Sequence, residues 1–192
     1  MVYLFEKDCP MKLNYLLYLF YIAFAFVSCK NDAKKTDLEI VTIETTQEKK
    51  LYTSSKIEAE FNDPKVAAVY NGYIELKTAL VNTNSELAAL ACDKLMVAYT
   101  NSGNANEETA KAIEKIKNDT NVETQREAFV TVTNSVEEML EGALKSGTIY
   151  KQFCPMAFNN TGGYWLSNSK DIQNPYFGDK MLKCGRVASE IK

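Results

Sequence analysis

Three asparagine-rich breaks divide the middle of this chain and set most of what it can fold into. Asn82-Thr83-Asn84, Asn101-Ser102-Gly103-Asn104 and Asn118-Asp119-Thr120-Asn121 interrupt residues 63–145. Such residues favour turns and helix starts over helix interiors, because their short polar side chains compete for backbone hydrogen bonds. Between the breaks, apolar residues recur at three- and four-residue steps, the period of a helix buried on one face.

Asp63-Pro64 opens the first segment, a capping carboxylate followed by proline in the first turn. Val66, Val69, Tyr70, Tyr73, Leu76 and Leu80 form its stripe. Asn84 caps the second segment, with Leu87, Leu90, Ala91, Leu95 and Ala98 expected inward. The third is a short, charged run over 107–117. The fourth covers about 122–145, with Phe129, Val132, Val136, Met139, Leu140 and Ala143 on its buried side. Short polar connections favour helices packed in sequence order. The expected fold is therefore all-α: an up-and-down bundle of about four helices in a domain over 62–192.

Gly147 ends that pattern, and the tail that follows reads differently. Ile149, Tyr150 and Phe153 suggest a short extended piece leading into Cys154. Gly162-Gly163 and Asn174-Pro175 are turn signals. The tail is expected to be irregular and to lie on the bundle through Tyr150, Tyr164, Trp165, Tyr176 and Phe177, with a brief helix around 180–191.

The beginning of the chain reads as an address. Lys12 precedes an apolar run, LNYLLYLFYIAFAFV, over 13–27, and Ser28-Cys29 closes it. A charged start, an apolar middle and a small residue before a cut site make a secretory signal. The run is shorter than the roughly 20 residues of a membrane-spanning helix. The expectation is a signal peptide over 1–28, with Met11 as a possible true start. Phe26-Val27-Ser28-Cys29 resembles a bacterial lipobox, which implies cleavage before Cys29 and lipidation of its thiol. Each buried methylene of such a lipid contributes about 0.8 kcal/mol to membrane attachment. Residues 29–61 then form the lipidated cysteine and a flexible tether, polar and without helical period. The expected location is the cell envelope, lipid-anchored and facing the periplasm or the outside.

Composition excludes several kinds of chemistry. With 22 basic and 25 acidic residues the net charge is −3, and no basic stripe marks a nucleic-acid partner. The chain has no histidine, so imidazole catalysis and imidazole-ligated zinc are absent. No Walker loop, dinucleotide fingerprint or nucleophile elbow occurs. The acidic pairs Glu107-Glu108 and Glu137-Glu138 fall on polar helix faces. An enzyme is not expected.

What remains is sulfur. Cys92, with Met96 one turn on, sits mid-helix among Ala and Leu and reads as core. Cys154 and Cys184 frame the tail, each close to a methionine: Cys154-Pro155-Met156 and Met181-Leu182-Lys183-Cys184. Two readings stay open. In one, Cys154 and Cys184 form a disulfide closing a loop of about thirty residues, worth roughly 3.5–4 kcal/mol in chain entropy and favoured by an oxidising compartment. In the other, Cys154, Met156, Met181 and Cys184 form a soft-metal site, since thiolates and thioethers select copper(I). Trp165 and Tyr176 would then shield it from water.

The tail motifs carry a resemblance. Tyr150, Cys154-Pro155-Met156, Trp165-Leu166-Ser167, Asn174-Pro175-Tyr176-Phe177-Gly178 and Met181-Leu182-Lys183-Cys184-Gly185 look like the bacterial domain-of-unknown-function family 3347, over about 62–190. Members of that family are secreted or lipid-anchored, and the domain is also appended to adaptors of heavy-metal efflux pumps. The resemblance implies metal handling, with copper(I) as cargo for sequestration or delivery and an efflux component as a partner. The alternative is a disulfide-stapled helical module that docks another envelope protein.

Overall fold

The computed structural model describes residues 51–192. The signal peptide over 1–28, the alternative start at Met11, the lipidated Cys29 and the tether as far as residue 50 lie outside the described residues.

Each asparagine-rich break ends one helix, and an asparagine in it or just after it caps the next. Helix α1 spans Pro64–Val81, and Asp63 accepts a hydrogen bond from the Lys65 N–H at 2.8 Å. Helix α2 spans Ser85–Asn101, capped by Asn84, whose side chain accepts from the Leu87 N–H at 2.9 Å. Helix α3, Glu107–Asn118, is capped by Asn106, and helix α4, Val122–Met139, by Asn121. These caps occupy first-turn N–H groups that have no partner inside the helix. Consecutive helices pack on one another, and α1 also packs on α4. Val69, Tyr70, Tyr73, Leu76, Leu80, Leu95, Phe129 and Val132 fill the space between them. No helix among the described residues is long and apolar enough to cross a membrane.

The face of α2 differs from expectation. Ala88, Ala91, Cys92, Leu95 and Tyr99 point inward, whereas Leu87 and Leu90 are 45% and 61% exposed. The small residues allow close packing on α1. Gly72 of α1 meets α2 so closely that an added Cβ would lie 3.0 Å from the Leu95 Cα.

The all-α expectation is overturned, because the segment after α4 is largely β. Strand β1, Glu60–Phe61, pairs antiparallel with β2, Leu144–Ser146. Strands β3, Ile149–Cys154, β4, Gly163–Ser167, and β5, Arg186–Ile191, form an antiparallel sheet in the order β4-β3-β5. Two features concealed it. Helix α4 stops at Met139 rather than near 145, and Gly142 turns the chain at a φ of +67°. Strand β5 is an edge whose residues are mostly exposed, so it lacks the apolar alternation that marks a strand. The brief helix expected over 180–191 is instead a single 3₁₀ turn, Gly178–Lys180, followed by β5.

Tyr73 joins the sheet to the helices. Its hydroxyl lies 3.1 Å from the Thr133 hydroxyl of α4 and accepts the Leu166 N–H of β4 at 2.9 Å. Residues 51–61, read from sequence as the end of the tether, lie on the domain. The Tyr52 N–H donates to the Asn82 side chain, which donates back to the Tyr52 carbonyl, both at 2.8 Å.

Candidate functional site

Cys154 is the last residue of the central strand β3, paired with Gly163 of β4 and fully buried. On the other side of β3, Phe153 pairs with Arg186, the first residue of β5. That register delivers the residues just before β5 to the level of Cys154. Asn174 holds them there. Its main-chain N–H donates to the Leu182 carbonyl and its side chain donates to the Cys184 carbonyl, both at 2.9 Å. The same side chain accepts from the Tyr176 and Phe177 N–H groups at 2.8 and 3.3 Å. One buried amide therefore clamps the Asn174-Pro175-Tyr176-Phe177 turn to the Met181–Cys184 turn, where sequence alone suggested only a turn residue.

Gly185 completes the approach. Its φ is +143°, and an added Cβ would stand 2.8 Å from the Trp165 ring and 3.0 Å from the Phe153 carbonyl oxygen. Only a glycine lets the chain pass so close to the sheet at that angle.

The outcome is a cysteine pair in contact. The sulfurs of Cys154 and Cys184 lie 2.8 Å apart. The two are unequal: Cys154 is fully enclosed and Cys184 is partly exposed. The Cys184 thiol is pushed up to about 11, first by its hydrogen bond with Cys154 and then by burial, while the Met156 backbone N–H acts in the opposite direction.

Both methionines reach the pair through the main chain: Met156 through that N–H, and Met181 through its carbonyl, which accepts the Cys184 N–H at 3.0 Å. The Met156 side chain is 47% exposed, and Met181 is partly buried. Trp165 and Tyr176 are buried on the inner side, edge to face with ring centres 6.0 Å apart. The pKa of the Tyr176 hydroxyl is raised well above its ordinary value by burial and next by neighbouring Tyr73, with Cys154 the smallest contribution. The hydroxyl donates to the Tyr164 carbonyl. Beyond Met156, Phe158, Asn159 and Asn160 all take left-handed backbone angles, with φ of 51°, 57° and 67°. This run is costly for residues with a Cβ. It edges a surface cavity of about 650 Å³ that Met156, Tyr176 and Arg126 also line.

Cys92 plays no part in the pair. It is buried in the bundle, and burial pushes its thiol up to about 12, in keeping with its reading as core.

Sequence reasoning passed over two buried cations. Arg126 is 1% exposed and Lys77 fully buried. The signal was available: Arg126 falls on the stripe Val122, Arg126, Phe129, Thr133, Val136, and Lys77 on Val66, Tyr70, Tyr73, Lys77, Leu80. A charge in register with an apolar stripe is carried into the core by the helix period.

A helical bundle backed by a small antiparallel sheet, with two tail cysteines held in contact, defines a mixed helix–sheet domain bearing a cysteine pair. Residues 69–147 match the family model described as protein of unknown function (DUF3347). The match runs from α1 through β2 and stops before Cys154. No curated protein and no solved structure matches the chain.

Proposed function

We propose that the chain is a lipid-anchored envelope protein that holds a soft metal ion, copper(I), at the Cys154–Cys184 pair for sequestration or delivery to an efflux system. The observation that supports this reading is the 2.8 Å approach of two thiols from opposite ends of a thirty-residue segment in a protein without histidine. The donor set fits a soft ion. Copper(I) is satisfied by sulfur alone. Binding releases the thiol protons, and the sulfurs separate to admit the ion. Met156 and Met181, adjoining the pair in the chain, are the auxiliary thioethers of this reading, and Trp165 with Tyr176 closes its inner side.

The test is competition for copper(I) between the reduced chain and a chromogenic chelator. One ion per chain, lost in Cys154→Ser and in Cys184→Ser, is expected. A reduced chain that takes no copper from the chelator refutes the reading.

A second reading, the disulfide-stapled docking module, is favoured by a different observation. Leu87, Leu90 and Val97 of α2 are 45%, 61% and 63% exposed, an apolar face of the kind that partners cover. Mass spectrometry without reductant separates the two, because the stapled module is isolated two hydrogens lighter than the dithiol.

A further inference from the structure

The two thiols differ in access, and that difference assigns them an order of reaction. We propose that Cys184 is the entry thiol, attacking a small anionic disulfide from solution, and that Cys154 resolves the mixed disulfide so formed. The proposal rests on the pair being the functional centre, and it holds whether or not copper(I) is the cargo.

Cys154 is fully buried. It ends a strand paired on both sides, with β4 at Gly163 and with β5 beginning alongside Phe153. Ala157 and Tyr176, both buried, and Phe158, which packs on Tyr176 at 4.9 Å, occupy the same corner. A disulfide in solution has no route to its sulfur. Cys184 lies outside regular structure between Met181 and β5, partly exposed, with exposed Met156 beside it. Attack proceeds through the thiolate fraction, which is small for a thiol near 11, and it requires a sulfur that the disulfide can reach and room for the leaving group. Cys184 offers both, and Cys154 neither. The second step needs a thiol already within bonding reach of Cys184, which Cys154 supplies at 2.8 Å.

The sign of the partner follows from the flanking residues. Lys183 and Arg186 flank Cys184 in the sequence and are exposed, while Lys180 is paired with Glu123 at 3.5 Å. Exposed charges act on an approaching ion over roughly 10 Å at 0.1 M salt, so a disulfide carrying carboxylates is drawn in and a cationic one repelled.

The chemistry balances with that disulfide as oxidant. Cys184 bonds to one of its sulfurs, the S–S bond breaks, and the departing sulfur takes the Cys184 proton to leave as a free thiol. Cys154 then bonds to Cys184, releasing the second thiol with the Cys154 proton. The pair has lost two electrons, and one small disulfide has become two thiols.

The test uses the reduced full chain. A brief iodoacetamide pulse followed by peptide mapping should label Cys184 at least ten-fold more than Cys154, with buried Cys92 as an internal control. Equal labelling, or Cys154 first, overturns the proposal without any variant being made. With glutathione disulfide, Cys154→Ser should hold a glutathione adduct on Cys184, and Cys184→Ser should hold none on Cys154. An adduct on Cys154 in the latter, in protein that keeps the wild-type circular dichroism, overturns it as well. Oxidation by glutathione disulfide should outpace that by cationic cystamine, and added salt should narrow the gap; the reverse order removes the anionic partner. A chain that binds no copper(I) but labels in the expected order loses the metal reading alone. One that binds copper(I) but labels Cys154 first loses only this proposal.

Discussion

The Lys77 ammonium donates to the Tyr52 hydroxyl at 3.3 Å and lies 5.3 Å from the centre of the Tyr52 ring. Tyr52 belongs to the segment before β1, so this contact ties the entering chain to the middle of α1.

That burial has a pH signature. Desolvation lowers Lys77 to about 8, against about 10.4 for a lysine in an unfolded chain. Between those values the unfolded chain holds a proton that the folded one has shed, so stability rises with pH across the window, and the cost of burial is greatest below it. Lys77→Met removes the cost. At pH 7 the variant should be more stable by about 2–3 kcal/mol, from 1.36 kcal/mol per pKa unit, less the lost bond to Tyr52. The gain in urea midpoint from Lys77→Met should therefore shrink between pH 7 and pH 9.5. The comparison is of variant with wild type at each pH, because the Cys92 and Cys184 thiols, pushed up to about 12 and 11, and buried Tyr70, Tyr73 and Tyr176, with raised pKa values, lower the stability of both proteins alike as the unfolded chain ionises. A gain that is the same at the two pH values contradicts the assignment.

Arg126 fastens the tail to the bundle. Its Nε donates to the Pro175 carbonyl at 2.7 Å, one terminal nitrogen to the Leu80 carbonyl and the Thr83 hydroxyl at 3.1 Å, and the other to Glu123 at 3.0 Å. Gly178 sits so close that an added Cβ would lie 2.8 Å from the guanidinium. Removing the fork orphans the buried Pro175 carbonyl and takes one donor from the Leu80 carbonyl, which keeps the Thr83 N–H at 3.1 Å; an unsatisfied buried acceptor costs roughly 1–3 kcal/mol, and the emptied side-chain volume adds to it. Arg126→Ala should lose about 3–5 kcal/mol in urea unfolding, and Arg126→Lys should recover less than half of it, since an ammonium cannot reproduce the planar fork. A lysine variant of wild-type stability would show that charge alone suffices.

The bundle was legible because its signals are local. Asp63, Asn84 and Asn121 cap helices where their chemistry says they should, and Val69, Tyr73, Leu95 and Val132 are buried as their spacing requires. The sheet was not legible, because what makes β5 a strand is its pairing with β3 some forty residues earlier, and an exposed edge carries no period of its own. The approach of Cys154 to Cys184 was anticipated from composition, but what enforces it was hidden. Asn174 read as a turn residue, and its side chain bridges two turns only after both have formed. Leu87 and Leu90 misled because large apolar side chains were taken as inward, while Ala88, Cys92 and Tyr99 are buried in their place, beside the expected Ala91 and Leu95.

Gly72 shows why the small residues of α2 matter. In a regular helix, glycine costs about 1 kcal/mol relative to alanine, so Gly72→Ala would stabilise an isolated α1. Here the new methyl would stand 3.0 Å from the Leu95 Cα, a backbone atom that yields only if α2 moves. Overpacking of this kind costs about 1–3 kcal/mol and should outweigh the gain in propensity. Thermal unfolding of Gly72→Ala should therefore fall below the wild type, and a rise would place slack between α1 and α2.

The dithiol itself predicts a redox-dependent stability. Joining Cys154 to Cys184 constrains the unfolded chain by closing a loop across a separation of 30 residues, worth about 3.5–4 kcal/mol in the chain-entropy account. The folded state already holds the sulfurs in contact, so closure asks little further movement of β3 or of the Met181–Cys184 turn. Oxidised protein should unfold at a higher urea concentration than reduced protein by about that free energy, and Cys154→Ser should unfold at the same midpoint with and without reductant. If oxidised and reduced wild type unfold together, and mass spectrometry confirms the bond in the oxidised sample, strain in the native sheet is offsetting the entropy gained, and the approach of β5 to Cys154 is tighter than a disulfide tolerates.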